Sequence, residues 1–141
     1  MKAGRYFVDS NIVIYRAIDR ELLTKKVRDI LEDTCNSIYV PSKCVEELIY
    51  LQQSGRIDVK IWKSPKDIVG YIKDELAYEI RYVNEYHLHR LADLPLFPKH
   101  KDPTDRIIIA QAIEERIPLI SSDEKFHDYK RSKLEFIFNE R

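Results

Sequence analysis

Short β-branched and aromatic runs alternate with helical patterns along the whole chain, and that alternation restricts it to few folds. Residues 6–8 (Tyr-Phe-Val), 38–40 (Ile-Tyr-Val), 118–120 (Pro-Leu-Ile) and 134–138 read as strands. Residues 80–83 are a further candidate, in competition with a helical spacing of Tyr78, Tyr82 and Tyr86. The first run is apolar at consecutive positions, as a strand buried on both faces requires. Helices are predicted at 11–17, 21–34, 42–53, from Ser64 through Ile68, Ile72 and Leu76, and at 85–93 and 102–115. In the 21–34 segment Leu22, Leu23, Val27, Ile30 and Leu31 recur at helical spacing. Ser42 reads as a cap and Gly55 as a stop. Asp102 and Pro103 read as a cap followed by a first-turn proline. Strands alternating with helices imply an α/β fold of three layers, a central parallel sheet flanked by helices on both faces. At 141 residues the expectation is a single domain over 1–141.

In open sheets of this kind, ligands bind beyond the carboxyl ends of the strands, where the strand order switches. Asp9 and Asp123 directly follow strand-like runs. Asp105 falls in the first turn of a helix, where the backbone dipole favours an acid. Glu46 or Glu47 lies in the helix after the second strand. Taken singly, each aspartate is read equally well as a turn former or a cap. Their conjunction on one sheet edge is what points to a site. Two unit charges ~4 Å apart repel by about 4 kcal/mol at an effective dielectric of ~20. A cluster of carboxylates therefore calls for a cation. Oxygen-only ligands suit Mg²⁺ or Mn²⁺, which points to a metal-dependent reaction on a phosphate. Cys44, Val45, Leu48 and Ile49 form the apolar stripe of the third helix, and both glutamates flank it, so periodicity leaves the choice between them open.

Composition limits the alternatives. Lys plus Arg and Asp plus Glu balance at 24 each, so the overall basic excess of many nucleic-acid binders is absent. Affinity for nucleic acid would have to come from a local patch, and Lys99, His100 and Lys101 form one. No apolar run approaches the roughly 20 residues of a membrane span. The N-terminus lacks the apolar core of a secretory signal, so a cytoplasmic protein is expected. Cys35 and Cys44 make neither a disulfide framework nor a zinc site and read as buried small hydrophobes. His87 and His89 face different ways on a helix and make a poor zinc pair. His127, past Asp123, reads as a surface residue. Trp62, with Ile57, Val59 and Ile61, reads as core, with an exposed edge for a partner as the alternative.

Three segments are similar to a known family. Phe7-Val-Asp-Ser-Asn11 resembles the opening motif of PIN-domain ribonucleases. His100-Lys-Asp-Pro-Thr-Asp-Arg-Ile-Ile-Ile-Ala-Gln-Ala112 resembles the third motif of VapC-type toxins, and Pro118-Leu-Ile-Ser-Ser-Asp-Glu-Lys-Phe126 the fourth. The resemblance implies a PIN-like α/β/α fold and Mg²⁺- or Mn²⁺-dependent endoribonuclease activity on RNA. It also implies a homodimer and a small antitoxin partner whose tail occupies the active-site groove. Carried over residue by residue, the catalytic and metal-binding acids are Asp9, Glu47, Asp105 and Asp123. Glu47 is preferred because the family's helix acid is typically followed by an apolar residue, as Glu47 is by Leu48. The adjacent pair Glu46-Glu47 departs from the family pattern of a single acid there. Asp102 matches a further aspartate of the third motif and is read as a helix cap. Asn11, Ser122 and Arg106 are candidate substrate-binding residues. Asn11 positions a water or a phosphate oxygen, or caps a helix. Ser10 and Ser122 touch metal-bound waters, or serve as turn and cap residues. Arg106 contacts phosphate or, in the preferred reading, pairs with a nearby acid. Two other classes remain: a non-catalytic PIN-like module that binds RNA or protein, and a phosphatase with Asp9 as nucleophile. The phosphatase needs an acid two residues on, where this chain has Asn11.

Overall fold

Strands β1 (Arg5–Val8), β2 (Ser37–Pro41), β3 (Glu79–Arg81), β4 (Leu119–Ser121) and β5 (Phe136–Phe138) form one sheet in a computed structural model that describes residues 3–99 and 101–140. All neighbours pair in parallel, in the order β3-β2-β1-β4-β5. Phe7, Val8, Leu119 and Ile120 are fully buried, so the central strands are covered on both faces and cannot show an apolar–polar alternation. The chain builds outward from β1 to β2 and β3, then returns to the other side of β1 for β4 and β5. The switch point therefore lies at the carboxyl ends of β1 and β4.

Helices α1 (Ser10–Ile18), α2 (Lys25–Glu32), α3 (Ser42–Gln53), α4 (Asp67–Gly70), α5 (Glu85–Asp93) and α6 (Pro103–Glu115) cover the sheet. The expected α/β/α architecture is present. Every residue of α6 from Ile107 to Ile113 is buried, as in a helix enclosed on all sides. Gln111 reaches from α6 to the Arg81 carbonyl at 3.1 Å. Glu115, at the end of α6, meets Arg81 at 2.7 Å and the buried His87 at 2.9 Å. His87 Nδ1 accepts from the Asn84 backbone N–H, so Nε2 carries the proton and donates to Glu115. This knot locks α5, α6 and β3 together.

Several expectations need correction. The helix predicted over 21–34 starts later, because Thr24 caps it through Val27 N–H and Asp19 caps a separate 3₁₀ turn at Arg20–Leu22. Ser42 is the first helical residue rather than a cap, and Pro41 before it offers no side-chain bond. The Ser64 helix start is local: the Asp67 carboxylate accepts from Ser64 N–H, and regular helix begins only at Asp67, passing into a wider turn over Tyr71–Glu75. The Tyr78, Tyr82, Tyr86 spacing is not helical. Pairing with β2 wins over residues 79–81, burying Tyr78 and leaving Tyr82 and Tyr86 exposed. Cys35 is exposed, since it sits in the turn before β2 where Asp33 accepts its N–H, whereas Cys44 is buried as expected. Trp62 is core, with its ring 5.6 Å from that of Tyr71. Among the described residues no helix is long and apolar enough to cross a membrane.

Asn139 closes the sheet at β5. Its side chain is fully buried, accepts from Thr24 N–H at 2.7 Å, and donates to Leu22 O at 3.0 Å and Ser122 Oγ at 2.8 Å. Asn139→Ala strands these groups and is expected to cost about 1–3 kcal/mol in denaturant unfolding. A change under about 0.5 kcal/mol, the range of ordinary surface substitutions, would contradict this role.

Candidate active site

Asp9 ends β1 and caps α1. Its backbone N–H donates to Ile120 O at 3.0 Å, which holds the residue against β4. One carboxylate oxygen accepts from Ser10 N–H at 2.8 Å, and the other accepts from Ser121 Oγ at 2.8 Å. Ser121 Oγ in turn accepts from Asp123 N–H at 3.0 Å and Asn11 Nδ2 at 3.2 Å. Asn11 Oδ1 accepts from Ser122 N–H at 3.1 Å. The Ser10 hydroxyl donates to Glu47 on α3. Glu47, Asp9 and Asp123 are thus joined through two serines across three elements of the fold. Cys44, one turn before Glu47, places its thiol 3.5 Å from Asp9.

Asp105 lies in the first turn of α6, behind the Asp102 cap. Asp102 accepts from Thr104 N–H at 2.8 Å and Asp105 N–H at 3.3 Å. Burial, reinforced by the charges of Asp9, Asp102, Asp123 and Glu47, pushes the Asp105 carboxyl up to about 8. Burial also raises the Asp9 carboxyl, and hydrogen bonds from Ser121 and Ser10 partly relieve it. Glu47 is raised by burial, with the Asp9 and Asp102 charges adding to it. The Cys44 thiol is pushed well up by burial and by the Asp9 and Glu47 charges, so it stays protonated and donates. Four acids from separate stretches of sequence therefore share one electrostatic field at the switch point.

The two glutamates separate cleanly. Glu46 is exposed and pairs with Lys43 at 3.4 Å, while Glu47 faces Ser10 and Asp9. Contrary to the preferred reading, Arg106 pairs with no acid among the described residues. Its guanidinium donates to Pro95 O at 2.7 Å and Leu94 O at 3.1 Å, because α5 ends there and leaves carbonyls without helical partners. Ser122 reaches the site only through its backbone N–H, since its hydroxyl donates to Asn139 O at 2.8 Å. Ser121 is the serine that touches Asp9. Period-two alternation puts Ser121 and Asp123 on one side of the strand and Ser122 on the other, a signal available in the sequence. The Cys44–Asp9 contact had no such signal, because the stripe containing Cys44 reads simply as core. His100 lies outside the described residues, and Lys99 and Lys101 are exposed.

Among the described residues, no three His, Cys, Asp or Glu side chains close around one metal-sized point as they stand. The donor set nonetheless fits a hard divalent cation. It is all oxygen apart from a protonated thiol, and several of its members carry an electrostatic penalty that positive charge relieves. Mg²⁺ is commonly held by one or two carboxylates with its remaining positions on water, which a ring of acids at longer range accommodates.

A PIN domain family model matches residues 6–132. No curated protein sequence matches the chain. Among solved structures, VapBC2 from Rickettsia felis, bound to a promoter DNA fragment, is similar with a TM-score of 0.68 and 16% identity, over 96% of this chain and 99% of that chain. VapBC from Salmonella typhimurium, also DNA-bound, gives 0.66 and 13% identity over 96% and 98%. VapBC-5 from Mycobacterium tuberculosis, a member of a family of toxin–antitoxin systems, gives 0.65 and 15% identity over 96% and 98%. At these identities the likeness establishes the fold.

The raised Asp105 carboxyl has a consequence for stability without metal. Its folded value of about 8 lies above the unfolded value near 3.8, so the folded state holds the extra proton between them. Stability from this group is complete below about pH 4 and is lost as the pH rises through about 8. In EDTA, Asp105→Asn should therefore melt higher than wild type at pH 8.5 to 9 and lose that advantage near pH 4. An equal difference at both pH values would show that burial and the neighbouring charges do not raise the Asp105 carboxyl.

Proposed function

Because the chain belongs to the PIN-domain family, we propose that it is a Mg²⁺- or Mn²⁺-dependent endoribonuclease of the VapC type, the toxin of a toxin–antitoxin pair. The observation that carries this reading is the coupling of Glu47, Asp9 and Asp123 through Ser10 and Ser121 at the carboxyl ends of β1 and β4, with the Asp105 carboxyl raised by burial and by their charges. Such coupling is costly in a protein that does nothing with it, and perturbed carboxyls gathered at a switch point mark functional sites. In this reading Asp9, Glu47, Asp105 and Asp123 hold the metal. When bound, the ion supplies Lewis acidity to the phosphodiester and eases deprotonation of the attacking water. Ser121 and Ser10 fix the Asp9 carboxylate from two sides, and Ser10 also fixes Glu47. Asn11 ties Ser121 to the Ser122 backbone, so the carboxyl ends of β1 and β4 keep one spacing. In this reading water would attack phosphorus as the P–O3′ bond breaks, the proton lost by the water passing through solvent and the departing 3′-oxygen taking one up in return.

The toxin assignment draws on the structural neighbours, which are VapBC complexes. A small antitoxin partner, a homodimer and a cytoplasmic setting belong to the same reading. Asp105→Asn is expected to lower the rate of single-stranded RNA cleavage at least about a hundredfold, as the loss of several kcal/mol of charge stabilisation requires. Retained cleavage would remove Asp105 from the machinery. Glu47→Gln should be as damaging, whereas Glu46→Gln should leave the rate within about twofold, as expected for an exposed charge. The reverse order would reassign the helix acid.

A further inference from the structure

A cluster of carboxylates repels the polyanion that the proposed reaction cleaves, and the chain has no overall basic excess to offset it. Some local feature has to anchor the strand. A hollow of about 470 Å³, lined by Phe97, Pro98, Lys99, His127, Asp128 and Arg131, lies between the segment that follows Asp123 and the loop that leads into α6. That volume is within the range of small-ligand sites, about 300–1,000 Å³. We propose that this hollow binds one nucleotide of single-stranded RNA flanking the scissile phosphodiester, with its base against the His127 and Phe97 rings and its phosphate on Lys99 and Arg131. The proposal rests on the ribonuclease reading and names where its substrate is held.

Three observations support it. First, the hollow is tied to the acids on both sides. His127 is four residues past Asp123 in the 3₁₀ segment Glu124–Ser132, which Asp123 caps. At ~2 Å rise per residue that is about 8 Å along its axis. On the other wall, Phe97 meets Tyr129 edge-on at 4.8 Å, and Arg106, the neighbour of Asp105, holds the chain two residues before Phe97 through Pro95 O at 2.7 Å. Second, the rings are held in place before any ligand arrives. The exposed His127 ring stands 4.9 Å from Phe136 and 5.2 Å from Phe138. A base that stacks there meets an ordered partner and costs little side-chain entropy. Third, the polar groups match a nucleotide. Lys99 and Arg131 suit phosphate, and Asp128, the one acid among the described lining residues, suits the exocyclic amines of a base. Aromatic rings interleaved with cations are the usual platform for single-stranded nucleic acid.

The test is fluorescence anisotropy with a labelled single-stranded RNA oligonucleotide in EDTA, where binding is read without cleavage. The Lys99→Ala, Arg131→Ala double variant should bind about tenfold more weakly, and its plot of log affinity against log salt should flatten by about 1.4, the slope expected for two lost phosphate contacts. His127→Ala should weaken RNA binding about fivefold or more, His127→Phe should restore it, and neither should change binding of inorganic polyphosphate, which has no base to stack. Each variant is melted to confirm that it is folded. Unchanged RNA affinity in the folded variants would overturn the proposal and leave the hollow to a protein ligand. Equal losses for RNA and polyphosphate in His127→Ala, or no RNA binding by wild type, would also overturn it. Cleavage by Asp105→Asn with Mg²⁺ tests the ribonuclease reading separately. If that variant still cleaves while the hollow variants lose RNA, the hollow stands and the catalytic assignment falls.

Discussion

The structure depends on a buried carboxylate, Asp9, fixed where the strand order reverses. An isolated charge in that position would be prohibitive, so it is hydrogen-bonded from two sides: by the first N–H of α1 and by the Ser121 hydroxyl of the neighbouring strand. Those bonds are local consequences of the fold. A strand that runs directly into a helix presents a free N–H to its last residue, and parallel pairing of β1 with β4 sets Ser121 beside it. Ser121 then orients Asp123 through its backbone, and Ser10 orients Glu47. One position thus organises the surrounding polar groups.

The acids around Asp9 run against stability. α6 presents its N-terminus to the cluster, and its dipole favours Asp105 there, yet burial and four like charges outweigh that help. The rest of the molecule supplies the rigidity needed to hold them together. α6 is enclosed along its length, the Arg81–Glu115–His87 knot fastens its far end, and Arg106 fastens the loop before it. A rigid scaffold carrying a strained polar edge is what a preorganised cation site requires.

Much of this was legible in the sequence because the signals were local. Asp9, Asp105 and Asp123 announce themselves by sitting at the ends of apolar runs, and the strand–helix alternation implied the parallel sheet. Glu47 is harder, because two adjacent residues flank the same helical stripe; the family pattern favours it through Leu48, and its bond from Ser10 separates it from the exposed Glu46. Arg106 is hard for the opposite reason: the nearest acids in sequence suggest a pair, but its partners are carbonyls eleven and twelve residues away. His87 and Asn139 were invisible as structural residues, since their partners come from distant segments that no periodicity links. The three tyrosines at helical spacing showed how a strand of three residues can override an apparent period once its neighbour in the sheet offers hydrogen bonds.

The central claim is that these four carboxylates form one site for a divalent cation. Calorimetric titration with Mn²⁺ at neutral pH tests it most directly. Asp9→Asn, Glu47→Gln, Asp105→Asn and Asp123→Asn should each weaken binding about tenfold or more, while Glu46→Gln should bind as wild type does. Equal Mn²⁺ affinity in wild type and Asp9→Asn would contradict the claim.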